Sequence, residues 1–185
     1  MREEVTEGGG PGTGEVVVRL ARLPDLVAIV GIYNASIPGR RSTADLEPVT
    51  VESRMAWFVM HAPAHRPIWV AELRGDVVGW LSFSDYYGRP AYDATVEVGV
   101  YVDPAAQGAG IGAILLRHAI EAAPALGVRT LLWITFAINY GSIRLAERHG
   151  FARWGLLPRV TELDGVRRDI TIFGLELDAE APAGA

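Results

Sequence analysis

The sequence predicts an α+β fold: three layers, with a mainly antiparallel central sheet and helices on both faces. Three observations carry that reading. Val96, Val98, Val100 and Val102 recur at every second residue, the period of a strand with two unlike faces. Leu26, Ile29, Val30 and Tyr33 recur with helical spacing, as do Met55, Phe58 and Val59. The strand-like runs are joined by short turns into hairpins, in the order β-α-α-β-β-β-α-β-α-β-β, rather than as repeated strand–helix–strand units.

Each element has a local cause. Val16 to Leu20 reads as the first strand. Pro24-Asp25 opens a helix that ends before Pro38-Gly39, because proline is tolerated in a first turn and breaks a later one. A polar connection, Ile37 to Pro48, is either a lid or a plain connector. Thr50 caps a second helix, and the segment from His61 to Pro67 breaks it. His61 and His65 are four apart with Pro63 between them, which reads as surface loop histidines rather than a metal pair. Ile68 to Leu73 and Val77 to Ser84 form a hairpin through Arg74-Gly75-Asp76. A tyrosine-rich loop, Asp85 to Asp93, leads into the strand Thr95 to Val102. A helix follows from Gly110 to Leu126, with Gly127 at its C-cap position, then a strand from Thr130 to Thr135. Asn139 to His149 forms the last helix, closed by Gly150. Phe151 to Leu157 and Asp169 to Leu177 are the final strands, joined through Leu163-Asp164-Gly165. One domain over 16–178 is expected, with tails at 1–15 and 179–185.

Composition narrows the chemistry. The net charge of −5 argues against a nucleic-acid surface, and no run of about 18 apolar residues offers a membrane span. The acidic, glycine-rich start is unlike a signal peptide, so a cytoplasmic location is expected. The chain has no cysteine, which excludes disulfides, thiolate zinc sites and an acyl-cysteine intermediate. All seventeen basic residues are arginine. Without lysine the chain makes no Schiff base with pyridoxal phosphate and lacks the lysine of an ATPase phosphate loop. No metal is expected.

The densest signal is Gln107-Gly108-Ala109-Gly110-Ile111-Gly112, which follows the alternating valine strand and runs into a helix. A glycine turn at a helix N-terminus presents backbone N–H groups to an anion, and the helix dipole favours negative charge there. Three readings compete. A dinucleotide fold would place the turn after the first strand and an acid at the end of the next, and the strand Thr130 to Thr135 carries none. A second reading gives the glycines a role in strand–helix packing alone. The third reading is a pyrophosphate site flanked by a carboxylate, Glu97, on the strand.

The same six residues resemble the Q/R-x-x-G-x-G/A signature of the GCN5-related N-acetyltransferases, in which this turn binds the pyrophosphate of acetyl-CoA. The resemblance runs from about Val16 to Leu177 and is greatest to the phosphinothricin and methionine sulfoximine acetyltransferase branch. It is supported by Ile32-Tyr33-Asn34, Leu46-Glu47-Pro48-Val49, Val78-Gly79-Trp80, Arg89-Pro90-Ala91-Tyr92, Val100-Tyr101-Val102-Asp103-Pro104 and Gly150-Phe151. It implies direct attack of an amine on the thioester, with acetyl-CoA as cosubstrate. Val100, Tyr101 and Val102 would lie along the pantetheine arm, Gln107, Gly108, Ala109, Gly110, Ile111 and Gly112 would hold the pyrophosphate, and Asn139 and Ser142 would add polar contacts. Ser142 reads equally as a solvent-facing helix serine. Glu97 would take the proton of the attacking amine. Arg89 would fork onto the carboxylate of an amino-acid-like substrate, between Tyr33 and Tyr92 as walls. The segment Arg159 to Leu163 departs from the branch, which favours a different small amine. The branch is commonly dimeric, a role for which Trp154, Ile172 and Phe173 are available.

One position departs from the pattern. Where the family often has tyrosine or histidine within Leu145-Ala146-Glu147, this chain has Ala146, which cannot protonate a leaving thiolate. Two classes therefore stay open from sequence: an N-acetyltransferase, and a non-catalytic acyl-CoA-binding sensor or scaffold with the same fold.

Overall fold

A computed structural model describes residues 15–177, so the expected tails lie outside the described residues apart from Glu15. One seven-stranded sheet organises the chain, in the order β1-β2-β3-β4-β5-β7-β6. β1 (Val16–Leu20), β2 (Ile68–Leu73), β3 (Asp76–Asp85) and β4 (Thr95–Val102) form an antiparallel meander. β5 (Thr130–Phe136) joins β4 in parallel, β7 (Val166–Glu176) pairs antiparallel with β5, and β6 (Ala152–Leu163) pairs antiparallel with β7 at the sheet's edge.

Strand alternation assigns the two faces. On β2, Ile68 and Val70 pack into one cluster with Leu26, Ile29, Val30 and Trp80, under α1 (Leu26–Ser36) and α2 (Val51–Met60). Trp69 and Ala71, one residue out of phase, pack into the other cluster, under α3 (Ile111–Ala122) and α4 (Tyr140–Arg148). The second cluster holds fully buried Leu115 and Leu116 of α3 and Ala146 of α4. Each buried leucine contributes about 1.5–3 kcal/mol of apolar burial. The expected three layers are thus present.

Local chemistry sets the ends of these elements. Thr50 caps α2: its hydroxyl accepts from the Ser53 amide at 3.1 Å, and the Ser53 hydroxyl accepts from the Thr50 amide at 3.2 Å. Asn139 lies just outside α4 as its cap. α3 stops at Ala122, earlier than the expected Leu126, because Pro124 lacks the N–H that would continue the ladder; a 3₁₀ turn, Pro124–Leu126, fills the gap.

Two expectations need correction. The last two strands are one long hairpin, with β6 running to Leu163 instead of stopping at Leu157. Pro158 is tolerated because β6 is an edge strand and the register shifts between Leu157 and Thr161. His61 is not a surface loop histidine: it is half-buried at the end of α2, with Nδ1 2.7 Å from the Trp57 carbonyl and its ring 4.6 Å from that indole. Of the residues considered for a dimer contact, Phe173 is buried in this chain's own core, while Trp154 is exposed.

Candidate active site

β4 is the axis of the site. Its pairing with β5 covers only Thr95↔Thr130, Val96↔Leu131 and Glu97↔Leu132; beyond Glu97 the two parallel strands part. β4 stays paired with β3 as far as Gly79↔Val102, and the Asp103 amide donates to the Val78 carbonyl at 2.9 Å. Backbone groups of successive residues point to opposite strand edges. The amides of Gly99 and Tyr101 therefore face β3, like that of Asp103, and the backbone groups of Val98, Val100 and Val102 face the opening. An unpaired strand edge inside a sheet is a ready acceptor for an extended ligand. The Val102 carbonyl is partly engaged by Gln107 Nε2, at 3.4 Å.

The glycine turn closes one end of this opening. Gly108 and Gly110 have φ of +84° and +82°, the left-handed region that non-glycine residues enter at a cost. The amides of Gly108, Gly110, Ile111 and Gly112 have no acceptor among the described residues, so four donors surround the start of α3. Ala109 is exposed beside them, and the Ile111 side chain is buried in the core. A Cβ on Gly112 would lie 3.1 Å from Leu145 Cδ2 and within 4 Å of Val102 and Val100. α3, α4 and the open edge of β4 thus border one slot. At its far side Asn139 Oδ1 accepts from the Ser142 amide at 3.2 Å. Ser142 is not solvent-facing: it is half-buried, and its Oγ accepts the Trp133 indole N–H at 2.8 Å.

The face of β4 that carries Glu97, Gly99 and Tyr101 lines an open cleft of about 640 Å³, a figure that includes the solvent at its mouth. β3 contributes Trp80, Ser82 and Ser84; α1 contributes Ile29, Val30 and Tyr33; Val49, Arg54 and Trp57 complete it. The walls are aromatic. Tyr101 stacks on Trp80 at 4.7 Å, Tyr33 meets Tyr101 at 5.0 Å, and Trp57 meets Trp80 at 5.7 Å. The Trp80 indole donates to the Ile29 carbonyl at 3.1 Å, which fixes the ring.

The connection from Ile37 to Pro48 is a pinned wall. The Tyr33 hydroxyl donates to Asp45 at 2.6 Å and so receives the Thr43 hydroxyl at 2.5 Å. Arg54 reaches Asp45 at 3.1 Å, and the Tyr101 hydroxyl donates to the Ser42 carbonyl at 3.3 Å. Arg40 pairs with Asp164 at 2.7 Å, tying the connection to the turn of the β6–β7 hairpin. Burial pushes the Tyr33 and Tyr101 hydroxyls up, keeping both protonated.

Glu97 stands where slot and cleft meet. No hydrogen bond or ion pair among the described residues reaches its half-buried carboxylate, and burial pushes its carboxyl above the ordinary carboxylate range. A carboxyl held there is less acidic and a better proton acceptor.

The other expected residues are placed as follows. Tyr101 presents its ring to the cleft and not to the slot. Arg89 and Tyr92 are exposed on the loop between β3 and β4 and are not among the residues that line the cleft. That loop is stapled at both feet by buried Arg66, which bonds Asp85 at 2.5 Å and the Asp93 carbonyl at 2.9 Å. Ala146 is fully buried, so no proton donor stands at that point of α4. Among the described residues no cluster of histidine and carboxylates could hold a metal, and no helix is long and apolar enough to cross a membrane. Arg54 and Trp57 escaped notice in the sequence, although they lie three residues apart on one face of α2.

Residues 28–151 match the acetyltransferase (GNAT) family. The chain belongs to that family. It is 50% identical over 163 residues to YwnH of Bacillus subtilis, a match covering 88% of this chain and 99% of that one. It is 35% identical to the L-methionine sulfoximine/L-methionine sulfone acetyltransferase of Pseudomonas aeruginosa, over 87% of this chain and 94% of that one. Its fold superimposes on yncA of Salmonella typhimurium, solved with its cofactor acetyl-CoA, with a TM-score of 0.84 and 32% identity, covering 92% and 98% of the two chains. The chain is thus an acetyltransferase in a family of enzymes, and its sheet parts at the strand that carries Glu97.

Proposed function

We propose that this acetyltransferase moves an acetyl group from acetyl-CoA directly to the primary amine of a small, amino-acid-like substrate. The observation that carries the reading is the position of Glu97: its backbone ends the β4–β5 pairing and its side chain enters the cleft. The open edge of Val98, Val100 and Val102 takes the extended arm of the cosubstrate, the amides from Gly108 to Gly112 take its pyrophosphate, and Asn139 and Ser142 border the same slot. The acceptor lies in the cleft against Tyr33, with Arg89 and Tyr92 as outer contacts on the loop that follows β3.

Both substrates are held at once, so the reaction needs no covalent enzyme intermediate. Glu97 removes a proton from the acceptor ammonium. The freed nitrogen attacks the thioester carbon to form the C–N bond, and amides on the open edge of β4 stabilise the resulting oxyanion. The nitrogen gives up its second proton to water, and collapse of the oxyanion re-forms the carbonyl and breaks the C–S bond. The thiolate leaves and is protonated from water, since Ala146 offers no donor. The names of the relatives support an amino-acid-like acceptor. We carry a homodimer through the outer strand β6 as part of the same proposal; sedimentation tests it.

A thiol-release assay with acetyl-CoA and a panel of amino acids, including L-methionine sulfone, tests the function. Turnover of at least one small primary amine is expected. Binding of CoA without turnover across the panel would overturn the reading in favour of a binding protein.

A further inference from the structure

The cleft is lined by one cation and one carboxylate among the described residues, Arg54 and Glu97. Everything else in its walls is neutral, apolar or aromatic. A cleft with one charge of each sign complements a ligand with one charge of each sign. We propose that Arg54 anchors the acceptor's carboxylate, so that the acceptor is a zwitterionic α-amino acid held between Arg54 and Glu97. The proposal rests on the acetyl-transfer reading above and adds the residue that selects the substrate.

Arg54 is built for that task. Its guanidinium lies over the Tyr33 ring at 4.7 Å and is 5.8 Å from the Trp57 ring, so two aromatic planes fix its orientation. Nη2 donates to Asp45, while Nε and Nη1 have no acceptor among the described residues. The planar fork of arginine matches a carboxylate bidentately, and it loses less freedom when it is already held. Asp45 does not line the cleft; its carboxylate is turned to Tyr33 and Arg54 and serves as a brace. The apolar surfaces of Trp57, Trp80 and Val30 then receive the acceptor's side chain. Arg89, the arginine the sequence favoured, sits exposed outside that lining.

The test compares L-methionine sulfone with its carboxamide, which keeps the amine and side chain and removes the negative charge. For the unaltered chain the acid is expected to have a KM about tenfold or more below that of the amide, the scale of a hydrogen bond to a charged group. Arg54→Gln should bring the ratio to about one. Asp45→Asn breaks the same brace yet leaves the cation in place, so it should keep the preference; so should Arg89→Gln. The assignment is overturned if Arg54→Gln retains the preference, if Arg89→Gln abolishes it, or if Asp45→Asn abolishes it as well. Calorimetric titration of both compounds into the CoA-loaded chain separates this from the function itself. Tighter binding of the acid that is lost in Arg54→Gln, with no acetylation in any assay, keeps the anchor and overturns acetyl transfer. Equal binding of acid and amide to the unaltered chain overturns the anchor even if acetylation proceeds.

Discussion

On its open edge, β4 offers backbone: unpaired groups of Val98, Val100 and Val102, and the amides of the glycine turn. On its cleft face, the same strand offers side chains, and its partners come from α1, α2 and a connection pinned by Asp45, Ser42 and Arg40. On the proposed function the slot takes the part of the reaction that is common to the family, because a polypeptide edge and a ring of N–H groups recognise shape and charge. The cleft handles the part that is private to this chain, because side chains from three elements decide what fits. Glu97 belongs to both.

Removing Glu97 tests the junction and has the largest expected effect. Glu97→Gln should lower kcat/KM by about 10²–10⁴-fold, the scale of general-base catalysis. A general base at Glu97 works when ionised, and burial raises the Glu97 pKa, so on the proposed function kcat/KM should climb with pH through a limb above the ordinary carboxylate range. That limb should vanish in the variant. Stability has the opposite sign. A carboxyl whose folded pKa lies above its unfolded value is tolerated best when protonated, and folding loses stability as pH rises through those values. At neutral pH the charge is a standing cost, so Glu97→Gln should melt higher than the unaltered chain at pH 7, with the gap closing at pH 4.

The next two substitutions separate the regions. Gly110→Ala forces a left-handed φ of +82° on a residue with a Cβ, at a cost of about 1–2 kcal/mol. It should raise the KM for acetyl-CoA about tenfold and leave the acceptor's KM alone. Trp57→Ala removes a cleft wall and one plane against Arg54; a severalfold rise in acceptor KM is expected, with acetyl-CoA KM unmoved. If either variant moved both constants equally, the division between slot and cleft would fall. Asp164→Asn has the smallest effect. It frees Arg40 from an exposed ion pair worth roughly 0–1 kcal/mol, and a steady-state assay should show an acceptor KM changed by less than about twofold.

The same division explains what the sequence disclosed. The glycine turn was legible because positive φ and close approach demand glycine, so geometry leaves a mark in composition. Glu97 was legible as one carboxylate in an alternating apolar strand. The cleft was not: Arg54, Trp57 and Trp80 are ordinary residues of an amphipathic helix and a strand, and nothing local says that they converge. Ser142 was half legible. Its spacing from Asn139 fits a helix start, but the Trp133 indole that engages its oxygen comes from another element. The full length of β6 was not legible: Pro158 lacks a ladder donor, and only a place at the sheet's outer edge, where the register shifts, lets the strand run on. The layer architecture was readable throughout, since hairpin turns and alternation are local signals.

The pinned connection has a consequence for how such an enzyme diversifies. Its four tethers tie residues 40–46 to α1, α2, β4 and the β6–β7 turn without touching the open edge of β4. Exchanging the segment from Arg40 to Trp57 as one cassette therefore replaces one wall of the cleft and leaves the open edge of β4 and the glycine turn intact. A lineage can change clientele by swapping that cassette, while the machinery it feeds is inherited unaltered.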